Sequence, residues 1–364
     1  MSRRIKVAVI YGGRSSEHDV SLQSARCVLD NLDSERFEIV PLAIDRQGRW
    51  HRQDFAQLKA HAGKALPIET RGSPSLTAQA GTATMVASLE GPIDVVFPVV
   101  HGPLCEDGSL QGMLELSDVA YVGAGVLGSA VCMDKDVAKR LVRAAGIATA
   151  EYLSVHADRY DPARLQSQVM SGLGYPVFVK PATLGSSVGV TRARDAAALD
   201  AAVALAFGYD TKVLVERAVD AREIELAVLQ ALEPGVSPGV SVAGEITPED
   251  AFYSYERKYL ESAGARLVIP AELGKEQANE ARRIAAAAFE ALECEGMARI
   301  DLFLDRQSGR LLFNEANTIP GFTTISMYPK LWEASGLSYS GLLSHLIELA
   351  LARHERKSRL KRER

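Results

Sequence analysis

Short apolar runs alternate with glycine-bearing polar loops in the first part of the chain. Residues Ile5–Ile10 form an apolar run typical of a buried strand, Tyr11–Asp19 form a polar loop with two adjacent glycines, and Val20–Leu32 show helical spacing of apolar residues. This order predicts the start of a doubly wound α/β domain, in which ligands bind at the carboxyl ends of strands. The loop lacks the GxGxxG spacing, so a dinucleotide-binding fingerprint is absent.

A similar pattern follows the second predicted strand, Phe37–Ile44. Residues Ile93–Val100 predict a strand that ends in a polar glycine loop beginning at His101, and a helix is predicted at Leu110–Leu116. Because both glycine loops follow carboxyl ends of strands, we expect His101 and Glu17 to face one crevice. Each has an ordinary alternative: Glu17 is also a favourable first-turn charge of a helix, and His101 also fits a structural role.

The middle of the chain contains a loop of small residues that suits phosphate oxygens. A predicted strand, Pro176–Pro181, carries Lys180 next to the loop at 182–190, which offers backbone N–H groups and hydroxyls. The lysine supplies the charge that a phosphate needs. The loop lacks the P-loop spacing, and a flexible hairpin tip is the alternative. Further predictions in this region are helices at Ser129–Ala145 and Ala193–Phe207 and strands at Lys212–Glu216 and Glu223–Leu232.

Two glutamates follow on these last strands. Glu216 and Glu223 are candidates to accept hydrogen bonds from an adenine amine and from ribose hydroxyls. A long aromatic and charged loop at Pro248–Ala263 is a candidate lid over a site. Apolar spacing predicts helices at Lys275–Leu292 and Ser340–Arg353, and we interpret the basic end of the chain as the solvated, frayed end of the last helix.

A β-hairpin near the end of the chain gathers acidic side chains. The apolar runs Ile300–Leu304 and Leu311–Phe313 flank a turn sequence, and a turn of about five residues places Asp301 opposite Glu315. Alternation predicts that Arg299 and Phe303 share the face of Asp301, and that Phe313 and Asn317 share the face of Glu315. Oxygen ligands from Asp301, Glu315 and Asn317 suit a hard cation such as Mg²⁺, and the alternative is a solvated strand face with a surface salt bridge.

Composition narrows the class of protein. A chain of 364 residues holds two or three domains, and 47% hydrophobic residues are enough for real cores. The net charge of −5 gives no indication of nucleic-acid binding or a membrane surface. No stretch approaches the ~18 unbroken apolar residues of a membrane span, and no signal peptide is expected. The 4 scattered cysteines predict reduced thiols in a cytoplasmic protein rather than disulfides or a zinc site.

Seven motifs in order resemble the D-alanine–D-alanine ligase family of the ATP-grasp superfamily, over nearly the whole chain. The resemblance implies an α/β (α+β) multidomain fold, with a Rossmann-like substrate domain at 1–125, ATP-grasp subdomains at 126–215 and 216–352, and a basic tail at 353–364. The motifs are GGRSSEHDVSL (12–22), HGPLCEDGSLQG (101–112), MDK (133–135), KPATLGSSVGV (180–190), YERKY (255–259), ARIDLFL (298–304) and NEANTIPGFTTIS (314–326).

The family's nucleotide and metal sites are carried over by motif position. The resemblance implies ATP and two Mg²⁺ (or Mn²⁺) ions as cofactors, with Asp301, Glu315 and Asn317 as the metal ligands. Its reaction joins two D-alanines through a D-alanyl phosphate, for peptidoglycan precursor synthesis. The positions that match the family's ATP-binding residues are Lys135, Lys180, Ser187, Glu216, Glu223, Phe252 and Lys258.

The same motifs imply how the amino acids are held. Glu17 matches the carboxylate that binds the first D-alanine's ammonium, with Ser186 and Tyr259 as hydroxyls that hydrogen-bond to it. Arg299 and the N–H of Gly321 match the oxyanion donors. The groups that match the second D-alanine's site are Lys258, Ser326 and His101, the last with its part in proton transfer left open.

The resemblance also indicates partners, product and departures. It implies a homodimer, with no nucleic acid or membrane partner. Tyr259 favours the dipeptide over D-alanyl-D-lactate, because relatives that make the latter often carry phenylalanine there. Another ATP-grasp carboxylate–amine ligase, such as a D-alanine–D-lactate ligase, is the alternative. Two departures are Cys105, where many relatives have glycine, and Leu184, where some have an acidic residue.

Overall fold

The computed structural model describes residues 3–61, 63, 65–70, 75–76, 92–248 and 265–361. Three β-sheets organise this part of the chain, each with helices packed against it. The proposed lid residues Phe252, Lys258 and Tyr259 lie outside the described residues. No helix in the described ranges is long and apolar enough to cross a membrane.

The first sheet places the two glycine loops side by side. Its strand order is β4-β3-β2-β1-β5-β6, and β1 lies parallel to both β2 and β5. Gly12 at the end of β1 is in register with Val100 at the end of β5, so the loops of Glu17 and His101 leave the sheet at the same edge, as the sequence predicts. The elements are β1 Ile5–Gly12, α1 His18–Asn31, β2 Phe37–Ile44, β3 Trp50–Arg52, α2 Phe55–Ala60, β4 Ser75–Leu76, β5 Val95–Val100, α3 Ser109–Leu116 and β6 Ala120–Tyr121.

The second sheet is antiparallel, with the order β7-β10-β8-β9. The single helix predicted at Ser129–Ala145 is wrong, because two helices meet at Asp134. The Asp134 carboxylate accepts a hydrogen bond of 3.0 Å from the Val137 N–H and caps the second helix. The elements are α4 Val126–Met133, α5 Lys135–Ala144, β7 Tyr152–His156, a 3₁₀ turn Ala157–Arg159, α6 Pro162–Gln168, a π-helical turn Val169–Leu173, β8 Val177–Pro181, β9 Thr191–Ala193, α7 Ala196–Phe207 and β10 Lys212–Arg217.

The third sheet buries one face and presents polar side chains on the other. Its order is β14-β13-β11-β15-β16, with β12 paired to β11. Ile224, Ile300 and Leu302 pack in one apolar cluster with Ala281 and Ala288. The elements are β11 Ala221–Leu229, β12 Gly239–Val240, β13 Gly244–Pro248, β14 Ala265–Val268, α8 Lys275–Ala291, β15 Met297–Asp305, β16 Leu311–Asn317, α9 Met327–Ala334 and α10 Tyr339–Ser358.

An irregularity in β16 corrects one prediction about the hairpin. Asp301 pairs with Glu315 as predicted, but its neighbour Leu302 pairs with Phe313, so Asn314 is an extra residue in the ladder. Phe313 is therefore fully buried in the apolar cluster behind the sheet, and it does not share the face of Glu315. Strict alternation failed because a bulge shifts the side-chain phase by one residue.

The last helix is longer than predicted and returns to the first sheet. It runs through Ser358, so the segment after Arg353 is not a frayed end. Its residues Leu346 and Ile347 share an apolar cluster with Val95 and Phe97 of β5. The far end of the chain thus helps to cover the sheet that carries the Glu17 and His101 loops.

Candidate active site

The acidic hairpin face is tied together by Arg299. Its guanidinium donates two hydrogen bonds of 2.7 Å to the two carboxylate oxygens of Asp301. Asn317, which pairs with Arg299 across the hairpin, donates from Nδ2 to Asp301 Oδ2 at 3.0 Å. A bidentate guanidinium–carboxylate pair fixes the plane of both groups. The hairpin therefore holds Arg299, Asp301 and Asn317 as one rigid polar unit.

Glu225 belongs to this unit and was missed by the sequence reasoning. It lies directly opposite Asp301 on β11, is buried, and approaches Arg299 Nε with Oε2 at 3.1 Å. A signal was present, because Glu223 and Glu225 are two residues apart in a strand and must share a face. With Asp301 and Glu225 on either side, the guanidinium of Arg299 is held between two carboxylates.

Lys135 connects the small-residue loop to the hairpin. Its ammonium donates to the Leu184 carbonyl at 2.6 Å and lies 3.4 Å from Glu315 Oε2. The Lys135 backbone N–H also donates to the Ala182 carbonyl at 3.0 Å. The MDK lysine, the loop at 182–190 and strand β16 therefore meet at one point, although they are far apart in sequence.

The hairpin's oxygen donors fit a hard divalent cation. Asp301 and Glu315 supply carboxylates from facing positions, and Asn317 supplies an amide oxygen on the same face. Within the described ranges, no group of three or more His, Cys, Asp or Glu side chains is arranged to hold a metal ion. In the structure Asp301 pairs with Arg299 and Glu315 lies next to Lys135, so each of the two acids has a positively charged neighbour.

A buried ion cluster lies at the base of the small-residue loop. Glu216 on β10 is 3.0 Å from Lys180 Nζ through Oε1 and 2.8 Å from Lys139 Nζ through Oε2. Burial alone raises the pKa of Glu216, but the two lysines outweigh it and lower the pKa to about 2. Lys180 Nζ is also 3.5 Å from the Asn314 side-chain oxygen, which the bulge in β16 presents.

Lys139 was also missed by the sequence reasoning. Its side chain is completely buried, and burial lowers the pKa of its ammonium to about 8 despite the charge of Glu216. The signal was its position four residues after Lys135 in a helix, which places both lysines on one face. The cluster of Lys139, Lys180 and Glu216 carries one more positive than negative charge next to the loop that suits phosphate.

Glu17 is brought to the same loop. It precedes α1 and is buried, and Ser186 donates a short hydrogen bond to its Oε1. Ser186 and Ser187 have φ angles of 53° and 58°, so the loop turns through left-handed conformations that non-glycine residues rarely adopt. A side chain at Gly102 would come within 3.1 Å of Glu17 Oε2. The Glu17 carboxylate is therefore enclosed by loops from two sheets.

A second carboxyl group, Glu106, lies near Glu17 and had no predicted role. Its Oε2 accepts a hydrogen bond of 2.8 Å from the Gly102 N–H. Burial raises the pKa of Glu106 well above its ordinary value, and the charge of Glu17 adds to this. The neighbouring Cys105 is buried, and burial raises the pKa of its thiol to about 12, so it is an unreactive thiol.

His101 faces the loop that follows β16 rather than open solvent. It is buried, its Nδ1 lies 3.1 Å from the Ile319 carbonyl, and its Nε2 lies 3.5 Å from Ser24 Oγ. Burial lowers the pKa of His101, although the charge of Glu17 opposes this. The imidazole is therefore neutral near pH 7 and sits between α1 and the Pro320-Gly321 turn.

The Pro320-Gly321 turn is packed closely. A Cβ atom at Gly321 would lie 2.6 Å from Ser326 Oγ, so a larger residue does not fit without a shift. Ser326 Oγ accepts a hydrogen bond of 2.9 Å from the Thr323 N–H and lies 2.8 Å from Thr323 Oγ1. Gly321 and Ser326 are thus neighbours at the end of the acidic hairpin. Of the other predicted residues, Ser187 is half-buried in its loop and Glu223 is exposed on β11.

Two family models match the chain in succession. The model described as the D-ala D-ala ligase N-terminus matches residues 6–124, and the model of the D-ala D-ala ligase C-terminus matches residues 141–348. Together they span six of the seven motifs that carried the resemblance, and the MDK motif (133–135) lies between the two matched ranges. This chain belongs to the D-alanine–D-alanine ligase family. The prediction of the family from sequence is confirmed.

Relatives of known name support the same family over the full length. A D-alanine–D-alanine ligase A from Bradyrhizobium diazoefficiens is 50% identical, covering 100% of this chain and 99% of that protein. A D-alanine–D-alanine ligase A from Chromobacterium violaceum is 51% identical, covering 96% of this chain and 95% of that protein.

Solved structures of ligases share the fold. The D-alanine-D-alanine ligase from Coxiella burnetii matches with a TM-score of 0.82 and 36% identity, covering 98% of this chain and 97% of that one. The VanG D-Ala:D-Ser ligase from Enterococcus faecalis matches with a TM-score of 0.80 and 36% identity, covering 96% of this chain and 100% of that one. The predicted mixed α/β multidomain architecture with an ATP-grasp fold is confirmed.

Proposed function

We propose that this chain joins two molecules of D-alanine into D-alanyl-D-alanine at the expense of ATP, and so supplies a peptidoglycan precursor. Full-length relatives at about half identity carry that name. The observation that carries the proposal is the meeting of Glu17, Ser186 and Lys135 with the acidic face of the hairpin. An ammonium-binding carboxylate next to a phosphate-binding loop is the arrangement that an amino-acid-activating enzyme needs.

The first step places two anions in contact. The carboxylate of the first D-alanine attacks the γ-phosphorus of ATP, and ADP leaves as D-alanyl phosphate forms. Lys135 and Lys180 lie next to the small-residue loop and lower the repulsion between carboxylate and triphosphate. Asp301, Glu315 and Asn317 would hold two Mg²⁺ or Mn²⁺ ions, which supply further charge compensation at the phosphates.

Glu17 has the position to hold the first amino acid. Its carboxylate is fixed by Ser186 and enclosed by Gly102, so it can receive an ammonium group in one orientation. An ammonium also relieves the repulsion between Glu17 and Glu106. Tyr259 is the second hydroxyl that we expect at Glu17, and it lies outside the described residues.

The second step needs donors for a tetrahedral intermediate. The amine of the second D-alanine attacks the acyl carbon, the acyl oxygen becomes an oxyanion, and the intermediate collapses with release of phosphate. Arg299 and the Gly321 N–H are the proposed donors to that oxygen. Ser326 and Lys258 would bind the carboxylate of the second D-alanine, with His101 nearby.

We assign the nucleotide base to the part of the site that Glu216 and Glu223 line. Glu216 and Glu223 follow one another on β10 and β11, and Ser187 lies in the phosphate loop. In the structure Glu216 is paired with two lysines, so it also fixes Lys180 for the phosphates. Phe252 and Lys258 of the proposed lid would close over the nucleotide.

The alternative is a ligase of this class with another second substrate. The two relatives at 50% and 51% identity are both named D-alanine–D-alanine ligases. The 36% identity of the D-Ala:D-Ser ligase does not separate the two products, because the Coxiella burnetii D-alanine-D-alanine ligase is also 36% identical. Tyr259 argues against D-lactate as the second substrate. We therefore favour the dipeptide. We further propose a homodimer in the cytoplasm, where ATP is available, and light scattering of the purified protein tests the dimer.

A substrate panel tests the function. Purified protein is incubated with ATP and Mg²⁺ together with D-alanine, L-alanine, or D-alanine plus D-lactate or D-serine, and released phosphate and products are measured. We expect phosphate release with D-alanine alone, no release with L-alanine, and D-alanyl-D-alanine, rather than D-alanyl-D-lactate or D-alanyl-D-serine, as the main product of each mixture. Glu315→Gln should lower turnover by about 10³-fold, with the exposed Glu280→Gln as control. Release that is independent of D-alanine contradicts the proposal.

A further inference from the structure

Three side-chain contacts, two of them buried, hold the backbone on both sides of Gly321. Before it, the Ile319 carbonyl receives His101 Nδ1 at 3.1 Å. After it, the Phe322 N–H donates to Ser24 Oγ at 3.1 Å, and the Phe322 carbonyl accepts from the Tyr339 hydroxyl at 2.6 Å. These side chains come from α1, the loop after β5 and α10, so three remote parts of the chain converge on one turn.

The direction of each hydrogen bond follows from the chemistry of the groups. A carbonyl only accepts, so His101 carries its proton on Nδ1 and presents an unprotonated Nε2. Ser24 Oγ already accepts from the Phe322 N–H, so its own proton is available to His101 Nε2 at 3.5 Å. Ser24 is completely buried. Both ring nitrogens of the neutral imidazole are thereby engaged with protein groups.

Aromatic packing fixes the same turn from the other side. The Phe322 ring is fully buried and meets Phe97 edge-on at a centroid distance of 5.9 Å, with Tyr328 also at 5.9 Å and Tyr339 at 6.2 Å. Tyr339 therefore contacts Phe322 through its ring and through its hydroxyl. The residue after Gly321 has neither a free side chain nor a free backbone group with which to adjust.

We propose that Ser24 and Tyr339 are positioning residues of the second step, and that with His101 they hold the turn so that the Gly321 N–H is aimed at the tetrahedral oxygen. In this arrangement His101 is a fixed hydrogen-bonding link and not a proton carrier. The inference rests on the proposed function. No oxyanion on the acyl carbon exists during phosphoryl transfer, so the first step does not depend on the turn.

The physical reason is that an oxyanion donor works only at a set distance and angle. Removing such a donor costs about 10²–10³-fold in rate, and a misplacement of about 1 Å has an effect of similar size. Removing one of the three hydrogen bonds to the turn leaves the other two in place. We therefore expect the rate of dipeptide formation to fall about tenfold in each variant. When the second D-alanine attacks slowly, D-alanyl phosphate persists in the site and is hydrolysed by water. This side reaction gives D-alanine and phosphate without dipeptide.

The experiment compares phosphate released with dipeptide formed, both per unit time, in Ser24→Ala and Tyr339→Phe. The matched control is Ser129→Ala, which removes a buried serine hydroxyl that donates to the Ala124 carbonyl at 3.4 Å, away from the turn. We expect wild type and control to give one phosphate per dipeptide. We expect both test variants to release clearly more than one phosphate per dipeptide, with an unchanged KM for ATP.

The ratio separates positioning from general loss of structure. A folded variant in which phosphate and dipeptide fall together at a ratio of one overturns the proposal, as does a dipeptide rate within about twofold of wild type for both variants. If Ser24→Ala does not fold, Tyr339→Phe decides alone, because it removes only one oxygen from a partly exposed residue. A wild type without D-alanine-dependent phosphate release overturns the proposed function itself, and this inference with it.

Discussion

At the scale of single residues, the most unusual feature is a lysine with no access to water. Lys139 is completely buried and shares Glu216 with Lys180. A buried carboxylate needs a partner at all times, because an unpaired charge in the interior is costly. If Lys180 turns toward a phosphate, Lys139 still neutralises Glu216. We therefore propose that Lys139 leaves Lys180 available for the nucleotide.

Replacing Lys139 tests this account. Lys139→Met keeps an unbranched side chain that is one atom shorter and removes the charge, which leaves Lys180 as the charged partner of Glu216. We expect the KM for ATP to rise about tenfold and the free energy of unfolding to fall by about 2 kcal/mol. Steady-state kinetics and urea unfolding measure the two effects. The control is Lys59→Met, at an exposed position of α2.

Unchanged ATP affinity in a stable Lys139→Met protein would show that Lys180 is held in place by Glu216 without a contribution from Lys139.

Lys139 also shows what sequence patterns leave out. Its helical spacing from Lys135 predicts a shared face, but only the fold places Glu216, from a strand about 80 residues later, against that face.

At the scale of elements, the site depends on irregular backbone rather than on regular strands. The bulge at Asn314 turns Phe313 into the core while keeping Glu315 opposite Asp301. The alternating pattern predicted both strands and their register at the acidic pair. It could not predict the bulge, because an extra residue leaves no mark in composition. The break between two helices at Asp134 was not predicted for a related reason, because the apolar pattern continues through it.

The turn after β16 gives a prediction at this scale. In Gly321→Ala the new methyl group would meet Ser326 Oγ at 2.6 Å, and Thr323 holds that hydroxyl in place. We expect the turn to shift, with a loss of about 10²-fold in kcat and a raised KM for the second D-alanine. The dependence of the initial rate on D-alanine concentration separates the two parameters.

The control for Gly321→Ala is Gly112→Ala in α3, where a Cβ would meet no atom within 4 Å. This change should leave kinetics unaltered and stabilise the protein by about 0.5–1 kcal/mol, since alanine favours a helix interior. Wild-type kinetics for Gly321→Ala would mean that the turn has room for a side chain and is not the close-packed element described above.

At the scale of the whole molecule, the last helix is bonded to the edge of the first sheet. Arg353 on α10 donates to the Gly123 carbonyl at 2.6 Å and to the Tyr121 carbonyl at 2.7 Å, and its guanidinium stacks 4.3 Å from the Tyr121 ring centroid. It also pairs with Glu295 at 3.2 Å. One turn later, Lys357 pairs with Glu115 at 2.6 Å. Basic residues that looked like a solvated tail are therefore part of the packing around β6.

Loss of Arg353 should destabilise the fold more than it affects the chemistry. Arg353→Met leaves two buried carbonyls without their donor, and each unsatisfied group costs about 1–3 kcal/mol. We expect the free energy of unfolding to fall by about 3 kcal/mol, with KM values near wild type below the transition. Urea unfolding measures the difference. The control is Arg359→Met, because the Arg359 side chain is 72% exposed. Equal midpoints for the two variants would remove the structural role of Arg353.

The limits of sequence reasoning are clearest at this scale. Strand and loop patterns singled out Glu17, Lys180 and Asp301 as candidate site residues, because each ends or lines a recognisable element. They did not predict Ser24, Glu225 or Tyr339, whose contacts come from elements distant in sequence. The end of the chain, rich in arginine and lysine, looks solvated by composition, and most of the arginines and lysines that the structure describes there are indeed exposed. Only the return of α10 to the first sheet shows that Arg353 is buried there.

The central claim is that this chain activates the carboxylate of D-alanine as an acyl phosphate and then forms a peptide bond. The most direct measurement supplies ATP, Mg²⁺ and D-alanine labelled with oxygen-18 in both carboxylate positions, followed by mass spectrometry of phosphate and products. The account predicts D-alanyl-D-alanine together with phosphate that carries one labelled oxygen for each dipeptide formed. Dipeptide with unlabelled phosphate, or no dipeptide at all, would contradict it.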